Sequence, residues 1–178
     1  MTYSIKFDQR QLWVDDTIPL VEDAIYIVSR RLSKYTGLPP VETFNAVFGV
    51  MHTWFSKPLT TWASSMYGII RYQSPTAVGI AITIHELMHR LNVRANLIPE
   101  KQYAKDKAML VGVGLWGGFH PESMAEGGQP DEGLADLLMY YFLGTLKRDK
   151  RGQAARAWVE TYLPEWVAAA MTREERKV

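Results

Sequence analysis

The sequence predicts an α+β fold in a single domain over residues 1–178: a small mixed sheet from the N-terminal half packed on a central helix, then a helical C-terminal half. Three observations lead there. β-branched and aromatic residues crowd positions 3–14 and 44–72, Ser74-Pro75 opens a helical pattern that runs to about residue 93, and the pattern beyond Pro130 is helical almost to the end. Branched and aromatic side chains suit a pleated, half-buried surface. Apolar residues recurring every three or four positions mark one face of a helix.

The elements follow in order. Residues 3–14 alternate loosely around Ile5, Phe7, Leu12 and Val14 and read as one or two short strands. Thr17 is placed to cap a helix over 18–35, whose Leu20, Val21, Ala24, Ile25, Val28 and Leu32 share a face, and Gly37-Leu38-Pro39-Pro40 breaks it. Residues 44–55 and 62–72 read as a β-hairpin turning at Ser56-Lys57-Pro58-Leu59-Thr60, with a helix over 41–54 as the rival reading. Ser74 offers an N-cap hydroxyl and Pro75 lacks only an N–H that the first turn leaves unbonded, so a helix is expected from residue 75 to about 93. Residues 98–130 are polar and glycine-rich, with little helical periodicity after Met109. Pro130-Asp131 opens a helix to about residue 147, and residues 153–176 form the last one, bent or restarted at Pro164.

Composition narrows the function. A net charge of +1 and dispersed basic residues give no electrostatic reason to expect nucleic acid or an acidic membrane as partner. The absence of cysteine excludes disulfides, a thiolate zinc site and a cysteine nucleophile. The longest apolar stretch, residues 77–84, is far short of the roughly 20 residues that span a bilayer. No basic segment followed by an apolar run opens the chain. A cytoplasmic location is the expectation.

The chemistry gathers at His85-Glu86-Leu87-Met88-His89. On a helix, positions i and i+4 lie one turn apart on one face, so both imidazoles can converge on one ion while Glu86 reaches a water beside it. Catalytic zinc takes three protein ligands and keeps one position open; this motif supplies two ligands and the general base. Ile80, Ile82, Ile84, Leu87, Met88 and Leu91 wrap the same helix in apolar residues. Buried His and Glu side chains need partners, and a metal provides them. The bland alternative is a helix whose His and Glu merely face solvent.

The third ligand separates the zinc-enzyme families. A metzincin would place a histidine where Ala95 stands and a glycine where Asn92 stands; peptide deformylase uses an upstream cysteine; the downstream signature of the aspzincins is absent. Further on lies Pro130-Asp131-Glu132-Gly133-Leu134-Ala135-Asp136-Leu137-Leu138. This segment resembles the downstream helix of the gluzincins, the group of thermolysin and the related aminopeptidases. The resemblance rests on two short segments. It implies a zincin-like fold, Zn2+ held by His85, His89 and Glu132, Glu86 as general base, and Asp136 orienting His85 through its distal ring nitrogen. Two departures stand out: Asp131 replaces the asparagine common before the ligand glutamate, and the charged Arg90 follows the second histidine. Taken alone, Asp131, Glu132 and Asp136 are also what the macrodipole favours near a helix N-terminus.

Weaker signals surround this centre. His120 is a rival third ligand or an oxyanion donor, and Tyr103, Tyr140 and Tyr141 are further donors, although core packing is the default for a tyrosine. Gly112-Val113-Gly114-Leu115-Trp116-Gly117 matches the dinucleotide glycine pattern, but Gly118, Phe119, His120 and Pro121 cannot open the helix that should receive a pyrophosphate. A surface loop, or a glycine-rich strand or flap near the cleft, fits better. His52 reads as structural, and the tryptophans as core. The strand near residues 66–72 is the expected edge for an extended substrate. Together these readings predict metal-assisted hydrolysis of peptide bonds in a peptide or protein, by an endopeptidase rather than an exopeptidase. A catalytically weak zinc-binding regulatory or interaction protein on the same scaffold is the alternative.

Overall fold

The structure is a computed structural model that describes residues 2–9, 12–14, 16–56, 63–66, 68–115 and 129–173. It is α+β. Among the described residues four strands, β1 (Ile5–Phe7), β2 (Met51–Phe55), β3 (Ala63–Met66) and β4 (Ile69–Tyr72), form one mixed sheet in the order β1-β2-β4-β3. The helices are α1 (Thr17–Thr36), α2 (Pro40–Phe48), α3 (Ile80–Arg94), α4 (Ile98–Leu110), α5 (Pro130–Leu143) and α6 (Lys150–Thr172). None of the described helices is long and apolar enough to cross a membrane.

The sheet corrects the expected hairpin. Residues 44–48 belong to α2, as the rival reading had it, and only Met51–Phe55 is strand. Pro40 sits at the helix start, where its missing N–H costs nothing, and Thr43, Phe44, Val47 and Phe48 turn inward at helical spacing. Gly49, at φ 70°, ends the helix. β2 then pairs in parallel with both β1 and β4, with Thr53 opposite Ile70. The hairpin of this sheet is β3–β4, antiparallel with Ala63 opposite Tyr72, and Gly68 at φ 83° lies in its turn. β4 is therefore flanked on both sides, and the edge expected near residues 66–72 is β3 instead. The turn expected at residues 56–60 lies largely outside the described residues.

α1 buries Val21, Ala24, Ile25, Val28 and Leu32, as its periodicity required, and Gly37 closes it in the left-handed conformation. Its first residue, Thr17, turns its hydroxyl back to donate to the Val14 carbonyl. The expected start of the central helix at Pro75 is a short 3-10 turn, Pro75–Ala77; Val78 and Gly79 are extended, and α3 begins at Ile80. Ser74 spends its hydroxyl on Thr76 rather than on a cap. Thr83 ties the new helix to the sheet: its hydroxyl donates to the Gly79 carbonyl at 2.7 Å, so Tyr72 donates to Thr83 at 2.8 Å.

Three helices complete the frame. α4 falls in the segment expected to be polar and glycine-rich; it is a helix, and it buries Pro99, Tyr103 and Leu110. α5 stops at Leu143, not at 147, because Gly144 adopts φ 75° and returns its N–H to Tyr140 and Tyr141. The chain beyond forms a short antiparallel bridge, Leu146 to Gly114, which gives the described part of the glycine-rich segment a structural partner. α6 starts at Lys150 because the Asp149 carboxylate accepts from Gly152 N at 2.9 Å. It runs unbroken through Pro164, which is exposed, while Leu163 and Trp166 on either side are buried. The backbone carbonyl freed by the proline can be hydrated there.

Candidate metal centre

α3 crosses the core with residues 82–88 all buried, so His85 and Glu86 have left water although both are polar. Burial on this scale is unfavourable without partners. For His85 they come from α5, which packs along α3. Pro130 opens α5, so Glu132 falls in its first turn and Asp136 one turn later on the same face.

The two helices put three side chains around one point. His85 Nε2 lies 3.1 Å from Glu132 Oε2 and 3.1 Å from His89 Nε2, and His89 Nε2 lies 3.5 Å from Glu132 Oε2. Within this group one ligand atom from each residue lies within 4.8 Å of the others. On its far side His85 Nδ1 is 2.9 Å from Oδ1 of Asp136, which is fully buried. His85, His89 and Glu132 could hold a metal ion, and the donor set fits one. An Nδ1–H donated to Asp136 leaves Nε2 to face Glu132 and His89 and to serve as the metal donor once its proton is displaced, the arrangement in which a ligating histidine is oriented by a carboxylate behind it.

Electrostatics show the same crowding. Burial alone would lower the pKa of His85, but its hydrogen bonds to Asp136 and Glu132 and the charges of Glu86 and Asp136 outweigh burial and push it up to about 9. Burial would raise Glu132, yet hydrogen bonds and charge from His85 and His89 hold its carboxyl well below the usual carboxylate range. In the ion-free chain a proton on His85 thus takes the place a cation would fill. A divalent ion and that proton compete for the same nitrogen.

A cleft of about 320 Å3 opens at this point, with Glu86, His89 and Glu132 in its wall. Glu86 is only 4% exposed, and it still reaches the cleft surface. β3 contributes Ala63 and Ser64 to the same cleft.

Comparison with protein families, with curated proteins and with solved structures finds no match for this chain.

The structure therefore brings together His85, His89 and Glu132, backs His85 with Asp136, and places Glu86 beside them. His120 lies outside the described residues. Tyr103, Tyr140 and Tyr141 are buried in the core, and Tyr141 donates to Glu160. His52 is bonded to Asp8 at 2.9 Å, in keeping with a structural role. Trp13, Trp158 and Trp166 are core, Trp54 on β2 is only half-buried and not part of it, and Trp62 and Trp116 lie outside the described residues. The departure at Arg90 has a structural cause: its Nε donates to the Phe48 carbonyl, and Arg94 donates to Val47 and Ala46, so both bind the C-terminal carbonyls of α2.

Sequence reasoning missed the outer part of the cleft, where Asn92, Val93, Leu97 and Glu100 line it. Asn92 and Val93 stand three and four positions after His89, a spacing that puts them on its face. That signal was in the sequence. Leu97 and Glu100 were not legible, because α4 was not.

Proposed function

We propose that this chain is a zinc-dependent peptidase of gluzincin type that hydrolyses internal peptide bonds. The observation that carries the reading is the convergence of His85, His89 and Glu132 at the head of a cleft that Glu86 also lines. Two imidazoles and one carboxylate with an open side suit catalytic zinc. When bound, zinc supplies Lewis acidity and brings the pKa of water toward about 7.

The chain's own residues do the rest. Asp136 fixes the tautomer and ring angle of His85. Glu86 accepts a proton from the attacking water, whose oxygen joins the scissile carbonyl carbon. As the C–N bond breaks, Glu86 passes that proton to the departing amine nitrogen. The low exposure of Glu86 keeps bulk water away from the proton it carries. Among the described residues β3 is the edge strand on the far side of β4, its Ala63 and Ser64 line the cleft, and a peptide in extended form can add to such an edge through its backbone.

Glu86→Gln tests the assignment, since glutamine keeps the shape and loses the base. The variant is expected to keep the fold and one zinc per chain and to lose hydrolysis of a casein or peptide-library substrate by about a hundredfold or more. Full activity in that variant, or loss of its metal, would show that Glu86 is not the base.

A further inference from the structure

Arg90 follows His89 on α3, and its side chain runs toward the sheet. Its Nε donates to the Phe48 carbonyl at 3.1 Å, at the end of α2. Its guanidinium also lies against Gly68, the buried glycine of the β3–β4 turn: a Cβ there would stand 3.3 Å from Nη2 and 3.4 Å from Cζ of Arg90, and 3.0 Å from the Val50 carbonyl oxygen. Gly68 holds φ 83°, a conformation that glycine adopts at no steric cost, and its carbonyl accepts the His52 backbone N–H at 2.8 Å. The turn is therefore seated between the β2 backbone and the Arg90 guanidinium. Arg94, one turn further along α3, binds the same end of α2 through the Val47 and Ala46 carbonyls, and it is Arg90 whose guanidinium touches the turn. Beyond the turn, β3 carries Ala63 and Ser64 into the cleft that Glu86 and His89 line from α3. Ser64 is four residues from Gly68, about 13 Å along a strand. A small displacement of the turn is thus carried to the cleft wall, and one side chain ties that turn to the helix of the metal cluster.

We propose that Arg90 is a positioning residue for the substrate: by holding the β3–β4 turn against α3, it sets how far the β3 edge stands from Glu86 and the metal cluster. An extended peptide added to that edge is then presented to Glu86 at a fixed depth. The inference rests on the peptidase reading for its substrate and adds the residue that fixes the edge to the metal helix. The competing account makes Arg90 no more than a cation on the last carbonyls of α2. A lysine would serve that purpose as well. It lacks the planar fork that meets the Phe48 carbonyl and covers Gly68 at once.

The test compares Arg90→Lys and Arg90→Met with Arg94→Lys in the full chain, by three measurements. Zinc affinity, read by chelator competition, should stay at the parental level in all three, since neither arginine touches the cluster. Amide hydrogen exchange in the ion-free chain should show the β3 amides of both Arg90 variants opening about ten- to a hundredfold faster relative to those of α5, the weight of one hydrogen bond to a charged group. In the zinc-loaded chain, kcat/KM on a peptide pool should fall about tenfold in the same variants, chiefly through KM, as a loss of substrate binding requires. Arg94→Lys should lower overall stability and leave β3 exchange and KM as they were. Arg90→Lys carries all three readouts if Arg90→Met does not fold. Parental β3 exchange and KM in Arg90→Lys would overturn the proposal and leave a helix-end cation, and so would a β3 loosened with KM unchanged, or the same selective loosening in Arg94→Lys. Selective loosening of β3 in a chain whose parent cleaves no peptide removes the peptidase and keeps the tie between Arg90 and the edge, whereas cleavage with β3 and KM unmoved keeps the peptidase and removes the positioning role.

Discussion

Asp136→Ala isolates the contribution of the carboxylate behind His85. Asp136 is fully buried, and its Oδ1 takes the Nδ1–H of His85 at 2.9 Å. Two effects follow. The first is on stability: a buried ring N–H loses its acceptor, which costs about 1–3 kcal/mol. The second is on metal binding, because a ring without its acceptor is no longer held in the tautomer and angle that aim Nε2 at the cluster. Partners of this kind are worth about ten- to a hundredfold in affinity, or about 1.4–2.7 kcal/mol. Asp136→Asn keeps volume and an acceptor oxygen and should fall at the mild end of both ranges. Urea denaturation in excess chelator reads the first effect, and competition with a chromophoric chelator reads the second. An alanine variant that binds zinc as tightly as the parent would refute the claim that Asp136 positions His85.

The remaining predictions use the same logic. Zinc affinity should rise with pH by about tenfold per unit up to about 9, where His85 gives up its proton, because metal and proton compete for that ring; a flat profile in chelator competition would contradict it. In the ion-free chain, His85 is raised above its unfolded value, so its stabilisation is complete below about 6.5 and is lost as pH rises through about 9. Glu132 is depressed, so its stabilisation is complete above the ordinary carboxylate range and is lost as pH falls below it; denaturation series across pH in chelator should therefore show a maximum between those limits. Gly133→Ala puts a Cβ 2.5 Å from the Tyr103 hydroxyl and should cost about 1–3 kcal/mol, with part of the loss recovered by adding Tyr103→Phe. Tyr103→Phe alone should be neutral or stabilising in thermal melts, since that buried hydroxyl has no hydrogen-bond partner among the described residues. Glu132→Ala should cost far more zinc affinity than Asp136→Ala, and His120→Ala should leave it nearly unchanged; release of zinc by His120→Ala alone would make His120 the ligand.

The inner half of the site was legible in the sequence because its geometry is local. His85 and His89 are one turn apart on a single helix, as are Glu132 and Asp136, so helical spacing alone sets each pair on a common face. That the two pairs meet is a tertiary fact. What made it readable was the resemblance of two short segments, and the packing of α3 on α5 supplies the contact. The outer cleft was illegible for a physical reason: α4 buries only Pro99, Tyr103 and Leu110 of its 13 residues, too few to write a period. The sheet failed where composition misled. Phe44, Val47 and Phe48 look like strand residues and are buried on a helix, because position in the core overrides intrinsic preference. Strand pairing was missed as well, since β2 and β4 are parallel neighbours separated in sequence by β3, an order that no local signal encodes. Boundaries went wrong where a cap lies outside the periodic pattern, as with Gly79 before α3, Gly144 after α5 and Asp149 before α6.

The central claim is that His85, His89 and Glu132 form one metal site, and the zinc content of the purified chain tests it most directly. Protein prepared without added chelator, or reloaded with zinc and freed of excess, should carry one zinc per chain by elemental analysis. His85→Ala, His89→Ala and Glu132→Ala should each carry far less at the same free zinc. A wild-type chain that holds no zinc and takes up none on addition would contradict the account, as would variants that retain it in full.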